Sequence, residues 1–68
     1  MNAQDVATAT HKFTLTQRSL QGSVDLLLLA HSDGRKTAVI KRNVADQIAR
    51  VERELAGLRE AVGAIAGA

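Results

Sequence analysis

Residues 24–41 read VDLLLLAHSDGRKTAVIK, and the conformation they take decides what the rest of the chain can be. As two strands, VDLLLLA (24–30) and KTAVIK (36–41) would flank His31-Ser32-Asp33-Gly34-Arg35. Asp-Gly between apolar runs is a strong β-hairpin signal. As a helix, the same block would take Ser23 as N-cap, place Asp25 at the positive end, and leave Gly34 just past the C-terminus. Four consecutive leucines fit a buried strand or a buried helix, so periodicity does not choose. Leu favours helix, whereas Thr37, Val39 and Ile40 favour a strand after the turn.

The segment downstream tips the reading. From Asn43 to Ile65 the large apolar residues are Val44, Ile48, Val51, Leu55, Leu58, Val62 and Ile65, spaced alternately by four and three. With Ile48, Leu55 and Val62 at a, and Val44, Val51, Leu58 and Ile65 at d, this is a heptad seam of the coiled-coil kind. Followed backwards, the seam would next need Lys41 and Thr37, both polar, so the helix is expected to begin at Asn43. Asn43 is a good N-cap, and Asp46 falls at the third helical position, a variant of the capping box. KTAVIK then lies outside the helix and needs a strand partner, which the β-hairpin supplies.

Upstream, KFTLTQRSL (12–20) alternates Phe13 and Leu15 with Thr14 and Thr16, the period of a half-buried strand. Met1 to Thr10 is small and polar. The expected class is therefore α+β: a polar arm over 1–11, a β-hairpin or three-stranded meander over 12–42, and a long amphipathic helix over 43–68. The last stretch, AVGAIAGA (61–68), is uncharged, and Gly63 and Gly67 form a small-xxx-small pair that permits close helix approach.

Composition narrows the function. A chain of 68 residues is small enough to need reinforcement from disulfides, a metal or another subunit. There is no cysteine, and the two histidines, His11 and His31, show no metal-ligand spacing. That leaves oligomerisation. With one aromatic residue, Phe13, the interior must be filled by Leu, Val, Ile and Ala. In the heptad frame Glu54 falls at g and Arg59 at e, a pair that meets across the seam of a parallel coiled coil. The expected interface is thus Val44, Ile48, Val51, Leu55, Leu58, Val62 and Ile65 with Glu54 and Arg59, and the expected partner is the chain itself or subunits of a larger assembly.

Other classes are weaker. Ser19, Ser23 and Ser32 lack a base at recognisable spacing, Asp25 is one carboxylate without a partner, and no phosphate-binding loop is present. No catalytic residue and no cofactor are assigned, and no family signature is recognised. Residues 1–43 carry net charge +3 and residues 44–68 carry −1. Arg35, Lys36, Lys41 and Arg42 are candidate nucleic-acid contacts, and a small oligomeric DNA-binding regulator using a basic hairpin is the alternative function. Against it, the charge excess is small and no aromatics interleave for base stacking. No apolar run approaches the roughly 20 residues a membrane span needs, and the N-terminal residues lack the features of a signal peptide. The reading is a small non-enzymatic assembly protein of the cytoplasm, such as a scaffold, a secretion-apparatus part or a minor virion component.

Overall fold

The computed structural model describes residues 3–66 and contains two helices: α1, Ala3–Ser32, and α2, Ala38–Ala66. Met1, Asn2, Gly67 and Ala68 lie outside the described residues, and with them one half of the Gly63/Gly67 pair. The helices pack antiparallel along their length as a coiled-coil-like helical hairpin. No strand forms among the described residues. The α+β class and the β-hairpin or meander over 12–42 are therefore incorrect.

Three local features explain the correction. The first is Asp33-Gly34, which ends a helix instead of turning a β-hairpin. Gly34 has φ of 71°, its N–H donates to the His31 carbonyl at 3.1 Å, and the Arg35 N–H donates to the Ala30 carbonyl at 2.9 Å. These are the 5→2 and 6→1 bonds of a Schellman motif, with the left-handed residue at C′. A β-branched or bulky side chain at that φ is strained, so glycine is the residue that lets the chain leave α1 here.

The second feature is the threonine-rich stretch. Thr10 Oγ1 donates to the Val6 carbonyl at 2.8 Å, and Thr14 Oγ1 donates to the Thr10 carbonyl at 3.0 Å. Bonding back four residues lets threonine satisfy its hydroxyl inside a helix, at a small cost in stability. The alternation of Phe13-Thr14-Leu15-Thr16 is thus not a strand period: Phe13 and Thr16 turn inward, while Leu15 is exposed.

The third feature is a stripe hidden by small residues. Val6, Ala9, Phe13, Thr16, Leu20, Ser23, Leu27 and Ala30 are all buried or half-buried, and their spacing alternates three and four through the whole of α1. It is a heptad seam in which Ala, Thr and Ser occupy positions usually given to large apolar residues. A search for Leu, Ile and Val alone sees only fragments of it.

α2 starts at Ala38, ahead of the expected Asn43, and the Thr37 carbonyl accepts the first helical bond from the Lys41 N–H at 2.8 Å. Thr37 is thus the N-cap residue. The helix gains its first turn because Ile40 packs inward three residues after Thr37 and four before Val44. Residues 33–37 join the helices, a length suited to an αα-hairpin.

The resulting core is thin. Thr16, Ala30, Val44 and Ala61 are the buried side chains among the described residues, and none of them is completely enclosed. The hairpin measures 54 × 14 × 12 Å with a radius of gyration of 15.6 Å, against about 11 Å for a compact domain of this length. Its accessible surface is 5161 Å², where a compact monomer of this mass would show roughly 4,100 Å². Two helices cover only one stripe of each other, and the remaining apolar surface stays outside.

Candidate functional site: the outer face of α2

Successive residues of a helix point about 100° apart, so the rows of α2 can be laid out from burial. Two rows face α1: Thr37, Val44, Val51 and Leu58 form one, and Ile40, Gln47, Glu54 and Ala61 the other. All eight are buried or half-buried. Immediately beside the first row, about 40° around the helix, runs Lys41, Ile48, Leu55 and Val62, and this row lies on the shoulder of the interface, partly open to solvent. Ile48 is 43% exposed, Leu55 40% and Val62 47%.

The expected heptad seam is therefore divided. Val44, Val51 and Leu58 are buried or half-buried in the helical hairpin, whereas Ile48, Leu55 and Val62 keep 40–47% of their surface exposed. Ile65 continues the Val44 row by one heptad and is also exposed. Within one chain Glu54 and Arg59 stand on different sides of α2. Glu54 belongs to an inward row and lines a groove with Asp5, Thr8, Ala9, Lys12 and Gly57, while Arg59 is exposed on the outer side.

What fills the inward row is unusual for a seam. Gln47 Oε1 and Glu54 Oε2 are buried without a hydrogen-bond partner among the described residues. A buried acceptor left unpaired costs about 1–3 kcal/mol, while burying an Ile, Leu or Val side chain contributes about 1.5–3 kcal/mol. The helical hairpin thus turns polar atoms inward and leaves three large aliphatic side chains partly exposed. Beside the aliphatic row lie the exposed Ala45, Glu52 and Arg59.

Further apolar surface is found at the connecting end. Leu26, Leu27, Leu28 and Leu29 surround the last turns of α1, and only Leu27 is half-buried against α2. Val39 in the first turn of α2 is exposed as well. Arg35 and Lys36 lie in the connection and Lys41 and Arg42 in the first turns of α2, all exposed at this same end. Arg35 Nε is 3.9 Å from Asp33 Oδ2, a solvent-exposed pair worth about 0–1 kcal/mol. These four cations share one end of the molecule, without the β-ribbon on which they were expected.

His11 and His31 stand twenty residues apart on one helix, about 30 Å along its axis, so one chain does not bring them to a common ion. No group of three or more metal-ligating side chains occurs among the described residues. No helix among them is long and apolar enough to cross a membrane. Ser23, the alternative N-cap, is half-buried in the α1 seam, and Asp25 is exposed. The α1 seam was missed from sequence because its large members Val6, Phe13, Leu20 and Leu27 alternate with small Ala, Thr and Ser, and Gln47 carries no apolar signal. Their three-four spacing was the signal available.

No protein-family model, curated protein or solved structure matches this chain.

Proposed function

We propose that the protein is an assembly module whose working surface is the outer face of α2. The observation that carries this reading is the exposed row of Ile48, Leu55 and Val62, at seven-residue spacing beside a seam that already packs. Contiguous exposed aliphatic surface marks a protein-binding site. A row repeating every seven residues is matched by another helix laid alongside it. The excess accessible surface points the same way, since a small domain without disulfides gains its missing burial by association. No catalytic step is assigned to it.

Light scattering on the wild type and on Leu55→Asp tests the reading. The wild type is expected above the monomer mass of 7.2 kDa. The variant places a charge where a partner would bury it and is expected to return to that mass with its helix content intact. A wild type that stays monomeric at high concentration, and captures no partner through α2, overturns the proposal.

A further inference from the structure

The occupant of that outer face, and its orientation, can be argued from the charges beside it. We infer that it is a second copy of this chain, docked antiparallel with the two-fold axis at Leu55, and this inference rests on the assembly reading above. The aliphatic row is symmetric about its centre: Ile48 precedes Leu55 by seven residues and Val62 follows it by seven. In an antiparallel pair centred there, Leu55 meets its own copy, and Ile48 meets Val62 of the other chain at both ends. An interface of this kind is self-complementary, which is the requirement of a two-fold dimer.

The flanking charges obey the same centre. Glu52 and Arg59 sit in the exposed row next to the aliphatic one, and the midpoint between them falls half a residue beyond Leu55. That offset is less than 1 Å along a helix rising about 1.5 Å per residue. Antiparallel helices set like flanks against each other, so Glu52 of each chain faces Arg59 of the other, giving two symmetry-related ion pairs. Parallel helices set unlike flanks together. The Glu52/Arg59 row would then lie against the Val51/Leu58 row, which is committed to α1 and offers no opposite charge. Glu54, the charge that a parallel coiled coil would have paired with Arg59, is turned toward α1. The helical hairpin therefore removes the parallel code and keeps the antiparallel one.

The native chain contains no cysteine, so single-cysteine variants report orientation cleanly. The experiment treats Leu55→Cys, Ile48→Cys and Val62→Cys, alone and mixed, with a short bis-maleimide cross-linker, alongside light scattering of the unmodified protein. Leu55→Cys is expected to cross-link to itself. Ile48→Cys mixed with Val62→Cys is expected to form the heterodimeric product. Ile48→Cys alone is expected to give none, because its two copies stand fourteen residues or about 21 Å apart. In a companion pair, Glu52→Arg weakens dimerisation by about 3- to 10-fold and adding Arg59→Glu restores it. Strong self-cross-linking of Ile48→Cys with none in the mixture would overturn the antiparallel dimer while leaving self-assembly in place. A monomeric wild-type mass would overturn both.

Discussion

The two edges of α2 that flank the Val44–Val51–Leu58 row have opposite character. On one side Gln47, Glu54 and Ala61 are turned toward α1, and two of these three bring a buried, unpaired oxygen. On the other side Ile48, Leu55 and Val62 are aliphatic and exposed. A two-helix unit whose only task was to be stable would have the two edges exchanged. The difference shows that α1 lies to one side of the most apolar strip of α2 rather than over it. Close approach supplies part of the reason. Ala61 is only 3% exposed, and the Ala9, Thr16, Ser23 and Ala30 row of α1 is equally small, so small residues let the helices meet along this edge. The larger side chains of the other edge stay 40–47% exposed.

Substitutions on the two edges and the row between them differ widely in expected effect, the greatest at Val44. Val44→Asp places a charge in the row both edges share. It is expected to cost about 3–5 kcal/mol, enough to abolish the helical far-UV circular dichroism of so thin a core. Unchanged helicity would mean that this row is not the seam. Second in size is the double change Gln47→Leu with Glu54→Leu, which removes both unpaired oxygens from the inner edge. Stability to urea is expected to rise by about 1–3 kcal/mol per site, and a loss of stability would show that the inner edge is solvated.

Smaller effects follow. Gly34→Ala leaves the connection with open space around the new methyl group but forces an L side chain into φ of 71°. Thermal denaturation should register a loss of about 1–2 kcal/mol, and no loss would argue against the Schellman cap. Smallest for the fold itself is Leu55→Asp on the outer edge, where exposed positions usually change stability by within about 0.5 kcal/mol. Denaturation at concentrations low enough to keep the chain monomeric checks this. A large loss would place Leu55 inside the fold rather than on a docking face.

That residues from Val44 onward form an amphipathic helix was legible in the amino-acid order alone, because steps of four and three among large aliphatic residues suit helical periodicity and not strand alternation. The same order also contained the C-terminal signal of α1, since Gly34 was legible as the residue just past a helix end. That signal competed with an Asp-Gly turn of equal local merit, and local signals do not rank themselves. The seam of α1 was present but obscured: Thr16, Ser23 and Ala30 are inward because α2 covers them, not because they are apolar. The start of α2 at Ala38 came from packing, for the turn from Ala38 to Lys41 is held by the burial of Ile40 against α1. Packing alone separated the stripe into Val44, Val51 and Leu58, buried or half-buried, and Ile48, Leu55 and Val62, which remain exposed. The physical reason is rotational. A heptad pattern fixes which residues share a side of a helix, but the row that meets a neighbour depends on how that neighbour's side chains fill the space between the two axes.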